Sequence, residues 1–167
     1  MRARAIWVTG VLAVSVAAVA DDTVVHRAGQ PDAFHVSLQD PRFNEAQALA
    51  RQSVAEFVAA FEHAGQQQRS FAIKVPVIEG TLIEYFWVDL ESFANGQFTG
   101  SIGNEPVEVH GVRRGDRLVV DMERISDWMY VDRGHLVGGF TLRAMRTGMS
   151  EAARKAFDAT LPFEIIE

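Results

Sequence analysis

Glu84 is the first residue whose chemistry stands out from its surroundings. Residues 82–90 are rich in aromatic and β-branched side chains, which predicts a β-strand. Alternation along a strand places Glu84 on the same face as Leu82 and Phe86. A carboxylate between apolar neighbours must be paired, lie at a sheet edge, or be held protonated for acid–base catalysis. We favour pairing or edge exposure, because perturbed carboxylates are also common in structural networks.

A second group lies in residues 125–130, where an acidic residue is followed by aromatic side chains. Trp128 and Tyr130 flank a methionine and could form a recognition surface, and Asp127 could orient Trp128 or a backbone turn. A buried aromatic corner is the alternative that we favour, since apolar clusters are usually buried. The candidate binding residues are therefore Glu84, Trp87, Asp127, Trp128 and Tyr130.

The same residues allow an enzymatic alternative. Glu84 and Asp127 could act as the paired carboxylates of a small cell-envelope hydrolase, with Trp87 and Trp128 stacking on a sugar. Such chemistry needs the two carboxyl groups roughly 5 to 9.5 Å apart, a distance that the sequence does not supply. We assign no catalytic residue, and we favour the interpretation that the protein is not an enzyme.

Cofactor and metal chemistry has little support in the sequence. The chain has no cysteine, which excludes disulfides, thiol nucleophiles and iron–sulfur clusters. No pair of histidines has the spacing of a zinc motif, and no serine sits in a nucleophile elbow. No glycine-rich loop opens a helix to hold a phosphate. We therefore expect neither a cofactor nor a metal.

Charge and composition narrow the classes of partner. The 167 residues are 48% hydrophobic, which is typical of a soluble globular protein with one domain. Lysine and arginine number 16 against 22 aspartate and glutamate residues, so the formal net charge is −6. This balance argues against nucleic acid or an anionic membrane as the main partner. It favours a basic protein partner.

The N-terminus has the pattern of a secretory signal peptide. Two arginines in the first four residues precede an apolar run from Ala5 to Val19, and small residues end at Ala20. We predict cleavage after Ala20, export to the periplasm, and no stable membrane anchor afterwards. The apolar run is short for an uncleaved anchor, which needs roughly 20 residues. Residues 1–20 are thus a predicted signal peptide, and residues 21–39 a partly ordered leader.

Residues 40–167 are predicted to form a single α+β domain. Asp40 is a suitable N-cap, and apolar residues at spacings of three and four predict one long helix that ends near Gly65. Alternating patterns from residue 70 to residue 144 predict a curved antiparallel sheet of about five strands, the last of them at residues 136–144. Ser150 begins a short C-terminal helix. The long N-terminal helix is expected to pack on one face of the sheet.

Several short motifs together resemble the YegJ-like family of bacterial proteins, which carry a domain of unknown function. The similarity covers residues 40–146, and it implies a compact α+β domain without a known ligand or catalytic residue. Tyr85 stands where many relatives are expected to have histidine, which argues against a general acid–base pair at this place. The motifs that carry the similarity are residues 40–42, 71–76, 84–88, 100–106, 115–116 and 125–130.

The leading functional hypothesis follows from these features. A small, acidic, exported protein with aromatic segments and no reaction motif fits a periplasmic binding or protective module. Such a module, comparable to an immunity or inhibitor protein, would recognise a protein partner. The cell-envelope hydrolase is the alternative.

Overall fold

The computed structural model of the chain describes residues 14–15, 24–25, 33–34 and 40–166. The predicted signal peptide and leader therefore lie outside the described residues, except for three two-residue strands: β1 (Val14–Ser15), β2 (Val24–Val25) and β3 (Ala33–Phe34). Strands β2 and β3 pair with each other, and β1 pairs with the strand that contains Glu84. Cleavage after Ala20 would remove β1 from this pairing.

The predicted long N-terminal helix is wrong, because two shorter helices occupy its place. Helix α1 spans Pro41–Gln52 and α2 spans Val54–Glu62. Asp40 caps α1 as expected, by accepting a hydrogen bond from the backbone N–H of Arg42. Ser53 interrupts the helix, because its side-chain hydroxyl donates to the carbonyl of Leu49 and its backbone leaves the helical region.

Six strands follow one another across the antiparallel sheet, and β1 adds a seventh beside the strand that contains Glu84, against the expected number of about five. The sheet has the order β7-β6-β5-β4-β8-β9, so the chain crosses from the edge strand β7 to pair β8 with the central strand β4. The strands are β4 (Gln68–Glu79), β5 (Leu82–Ala94), β6 (Gln97–Ile102), β7 (Arg117–Asp121), β8 (Asp127–Asp132) and β9 (His135–Gly138).

The prediction of a last strand at residues 136–144 is also wrong for the second half of this range. Strand β9 ends at Gly138, and helix α3 begins after Gly139 and spans Phe140–Thr147. Both glycines have positive φ, which lets the chain turn sharply from strand to helix. A second helix, α4 (Glu151–Asp158), begins after the predicted cap Ser150. The C-terminal part therefore contains two short helices where one was expected.

Apolar side chains form a core on each face of the sheet. On one face, Trp87 and Met129 pack with residues of α1, α3 and α4. On the other face, Phe57 of α2 packs against Val88 and Trp128. A smaller cluster on this second face joins β5 and β6 to the loop around Val109. Both faces of the central strand β4 are therefore covered, which decides the surroundings of every side chain along it.

Among the residues that the structure describes, no helix is both long enough and apolar enough to span a bilayer.

Gly138 tests the turn between β9 and α3. A Cβ atom on Gly138 would collide with the carbonyl oxygen and the indole ring of Trp128, and the residue has a φ of +72°. We expect Gly138→Ala to lower the free energy of unfolding by about 3 kcal/mol, measured by urea denaturation. Gly134→Ala is the matched control, because φ is again positive and the space around it is open. It should cost only about 1 kcal/mol, and equal losses would contradict the collision.

Candidate functional site

Lys74 is the feature of the structure that the sequence analysis did not single out. It lies on the central strand β4, directly opposite Trp87 on β5 and Asp127 on β8. Its side chain is only 3% exposed, which is rare for a lysine unless the charge is paired. Cross-strand neighbours share a face of the sheet, so Lys74, Trp87 and Asp127 lie together on the face covered by α3.

Asp127 links β8 to the beginning of helix α3. Its carboxylate accepts hydrogen bonds from the backbone N–H groups of Trp128, Phe140 and Thr141 at 2.8 to 3.1 Å. The hydroxyl of Thr141 donates to the same carboxylate at 2.5 Å. Two of these N–H groups are orphan donors of the first turn of α3, so Asp127 caps this helix from a distant strand.

Thr141 also connects Asp127 to Lys74. The Lys74 ammonium donates to the Thr141 hydroxyl oxygen at 3.1 Å, while the hydroxyl proton points to Asp127. The ammonium lies 5.6 Å from the ring of Trp87 and 5.9 Å from the ring of Tyr85, within the range of a cation–π interaction. We call this group the lysine site: Lys74, Tyr85, Trp87, Asp127 and Thr141.

Burial controls the charges in the lysine site. It lowers the pKa of Lys74 from its ordinary 10.5 to about 8, against the opposing attraction of Asp127. It also raises the pKa of Asp127, against the Thr141 hydrogen bond and the attraction of Lys74. Both shifts have the same cause, because the site has lost the water that stabilises separated charges.

Glu84 lies on the opposite face of the sheet and is fully buried. Its carboxylate accepts hydrogen bonds from the backbone N–H groups of Val107, Glu108 and Val109 at 2.9 to 3.1 Å. These residues form an irregular loop that Glu84 holds against β5. Of the three explanations for a carboxylate at this position, the structure shows pairing, with backbone donors.

Trp128 and Tyr130 belong to the core on the same face as Glu84. The indole N–H of Trp128 donates to the carbonyl of Ala50 at 2.9 Å, and its ring stacks on Phe57 at 5.1 Å. Tyr130 is partly buried and stacks on Phe71 at 4.8 Å. The structure thus forms an aromatic corner here. Trp87 is 1% exposed and Trp128 is 4% exposed, so neither ring lies on the surface.

The five candidate residues are not brought together. Strand register places Trp87 and Asp127 on one face, whereas Glu84, Trp128 and Tyr130 lie on the other. The carboxylates of Glu84 and Asp127 therefore point to opposite sides of the sheet, and each is occupied by backbone donors. This arrangement contradicts the paired-carboxylate hydrolase. Within the described ranges, no three histidine, aspartate or glutamate side chains are grouped closely enough to hold a metal ion.

The sequence pattern around Lys74 is misleading. Residues 71–75 alternate as though Lys74 faced solvent. Strands flank β4 on both sides, however, and both of its faces are covered, so this lysine is buried too. Thr141 gave no local signal, because it was assigned to a strand and lies 67 residues from Lys74.

The sequence was compared with protein families and with solved structures. A protein-family profile described as "Uncharacterized protein conserved in bacteria (DUF2314)" matches residues 40–165, which include the whole lysine site. No solved structure matches the chain significantly.

Two curated proteins are similar over part of the chain. One is "Putative ankyrin repeat protein NMB1133/NMB1171" of Neisseria meningitidis serogroup B, 38% identical over 91 residues, or 52% of this chain and 36% of that protein. The other is "Uncharacterized protein YegJ" of Escherichia coli K12, 37% identical over 73 residues, or 44% of this chain and 48% of that protein. The matched regions thus span less than half the length of either relative.

Glu84→Gln tests whether the buried carboxylate holds the loop. The amide keeps one acceptor oxygen but turns a donor towards backbone N–H groups, so we expect a loss of about 2 kcal/mol in the free energy of unfolding. Glu79→Gln is the matched control, because Glu79 accepts from the N–H groups of His110 and Gly111 while exposed to water. Its effect should be clearly smaller. Equal effects in urea denaturation would show that burial does not strengthen the Glu84 contacts.

Lys74→Met tests the effect of burying the ammonium. Because the pKa of Lys74 falls to about 8 on folding, the unfolded chain binds more protons than the folded protein between pH 8 and 10.5. The free energy of unfolding should therefore rise with pH in this window relative to Lys74→Met, by at most about 1.4 kcal/mol per pH unit. Urea denaturation of both proteins at pH 8, 9 and 10 measures this difference. Parallel pH profiles would refute the pKa shift.

Proposed function

Because this chain belongs to DUF2314, a family of uncharacterised proteins conserved in bacteria, we propose its function from its own structure: it is a binding module that recognises a protein partner. The family match and the similarity to the YegJ protein confirm the resemblance to the YegJ-like family. The proposed role is protective, in the manner of an immunity or inhibitor protein.

One observation carries this proposal, the exposed apolar surface at the β4–β5 hairpin. Ile78 is 64% exposed and lies opposite Ile83, and Pro76 lies opposite Tyr85 on the same face. We call these four residues the hairpin surface. When a partner covers a large exposed apolar side chain at the tip of a long hairpin, the removal of apolar surface from water stabilises the complex.

The occupied carboxylates support binding over catalysis. Asp127 caps a helix and Glu84 anchors a loop, so neither is free to transfer a proton to a substrate. Trp87 and Trp128 are buried, so they are unable to stack on a sugar at the surface. The residues that motivated the hydrolase are thus engaged in holding the fold.

A basic protein is the partner class that the charges favour. The net charge is −6, and Glu79 follows Ile78 directly in the sequence. Hydrogen bonds from the N–H groups of Gly111 and His110 lower the pKa of Glu79, so this carboxylate stays charged beside the hairpin surface. Negative charge around an apolar anchor steers a basic partner and strengthens the encounter at low salt.

We further propose that the partner is met in the periplasm. Support comes from the basic start, the apolar run and the small residues before Asp21. The mature protein would begin at Asp21 and have no stable membrane anchor.

Site-specific photo-crosslinking in intact cells tests the hairpin surface. A photoreactive amino acid at position 78 should give a discrete adduct with a basic protein, because Ile78 is the proposed anchor. The same amino acid at position 119 is the control, since Val119 is 58% exposed on β7 at the far side of the sheet. Adducts of equal yield at both positions, or none at 78, would contradict the proposal.

The crosslinked protein is then purified and its affinity measured by calorimetry. Ile78→Ser should weaken binding by about tenfold, the loss typical of an apolar anchor, whereas Val119→Ser should change it little. Raising the salt concentration should weaken binding of the parent protein.

Export is checked in the same cells, where the adduct should be found in the periplasmic fraction with Asp21 as its first residue. A cytoplasmic adduct that retains Met1 would contradict export.

A further inference from the structure

Two buried hydrogen-bond donors, one on Trp87 and one on the residue that binds its backbone, lack acceptors in the structure. They are the indole N–H of Trp87 and the side-chain amide nitrogen of Asn104, and neither has a partner among the described residues. Trp87 is 1% exposed and Asn104 is 3% exposed, so surface water does not replace the missing acceptors. Native proteins leave few such groups, and each one calls for an explanation such as a bound ligand, ion or water.

Both donors belong to one local arrangement. Strand β6 ends at Ile102, and Gly103 and Asn104 continue along the edge of β5. The N–H of Gly103 donates to the carbonyl of Trp87 at 2.8 Å, and the backbone N–H of Trp87 donates to the side-chain oxygen of Asn104 at 2.9 Å. The oxygen of Asn104 is therefore used for structure, while its nitrogen is left over.

Lys74 adds further donors next to the ring of Trp87. Its ammonium has three N–H groups, and one of them donates to Thr141 while the rings of Trp87 and Tyr85 lie 5.6 and 5.9 Å away. Asp127, the nearby carboxylate, already accepts from three backbone N–H groups and the Thr141 hydroxyl, which fills its capacity. Donors thus outnumber acceptors in the lysine site and beside it.

We propose that the lysine site binds a small carboxylate, with Lys74 supplying the charge and the free N–H groups of Trp87 and Asn104 supplying hydrogen bonds. A carboxylate offers about four acceptor positions and one negative charge, which matches what the site lacks. The aromatic rings of Tyr85 and Trp87 favour a carboxylate attached to a flat apolar group. Entry takes place past Tyr85, the partly exposed member of the site, whose ring must swing away from Lys74.

The carboxylate site differs from the hairpin surface proposed above, although the two adjoin at Tyr85. The hairpin surface lies towards the tip of the β4–β5 hairpin, and the carboxylate lies behind Tyr85 on the same face. Tyr85 is the residue that both share, so a bound carboxylate that displaces its ring would also alter the hairpin surface.

Nuclear magnetic resonance of the indole N–H groups tests the proposal on the full chain. Benzoate is added at constant ionic strength, and benzamide serves as the uncharged probe of the same shape. The Trp87 indole signal, assigned by its loss in Trp87→Phe, should move in a saturable way with benzoate and much less with benzamide. The Trp128 indole already donates to the carbonyl of Ala50, so its signal is an internal control for the fold.

Two variants identify the donors. Lys74→Met keeps an unbranched side chain that is one atom shorter and removes the charge, and it should weaken benzoate binding at least tenfold. Asn104→Asp keeps the oxygen that accepts from the Trp87 backbone and replaces the free donor with an acceptor, so it should also weaken binding at least tenfold. An unchanged Trp128 indole signal shows that each variant is folded.

Three outcomes would overturn the proposal. They are no saturable change of the Trp87 indole signal, equal changes with benzoate and benzamide, and unchanged benzoate affinity in folded Lys74→Met. A water exchange signal at the Trp87 indole that benzoate does not displace would assign the site to a structural water instead. Failure of the hairpin crosslinking has no bearing on these results, because they are measured without a protein partner.

Discussion

The fold depends on the buried carboxylate of Asp127, which joins three elements that are distant in sequence. It lies on β8, caps the first turn of α3 through the N–H groups of Phe140 and Thr141, and reaches Lys74 on β4 through the Thr141 hydroxyl. Without this charge, α3 would leave two donors unsatisfied and Lys74 would be a buried cation without a counter-charge. The position of α3 and the burial of Lys74 are therefore consequences of one interaction.

Glu84 plays the corresponding part on the other face of the sheet. Its carboxylate satisfies three consecutive backbone N–H groups of the loop at residues 107–109, in place of the strand partner that this segment lacks. The two carboxylates that most invited a catalytic interpretation are thus used to hold backbone in irregular segments. A charged acceptor for several N–H groups is a strong anchor in a dry interior, which explains why acidic residues occur within apolar strands here.

Local signals predicted part of the fold well. The cap at Asp40 is present, and Ser150 caps the helix α4 as expected. The α+β class is also correct. The predictions failed where a local pattern competed with a distant contact or a side-chain hydrogen bond. Ser53 divides the predicted long helix. The Asp127 carboxylate on β8 caps α3, whose residues were predicted to belong to the last strand. Asp127 was singled out as a candidate residue, but its cap on α3 was not foreseen, because the capped residue Phe140 lies 13 residues along the chain.

The sequence by itself determined the α+β class and the helix start at Asp40, because these depend on caps and periodicity within a few residues. Its short motifs also determined the family. Only the tertiary structure decided which faces are buried, and hence that Lys74 is enclosed, that Trp87 and Trp128 are core residues and that Glu84 and Asp127 lie on opposite sides. Strand order is the physical reason. Pairing β4 with both β5 and β8 covers the lysine, and an alternating pattern carries no information about which strands become neighbours.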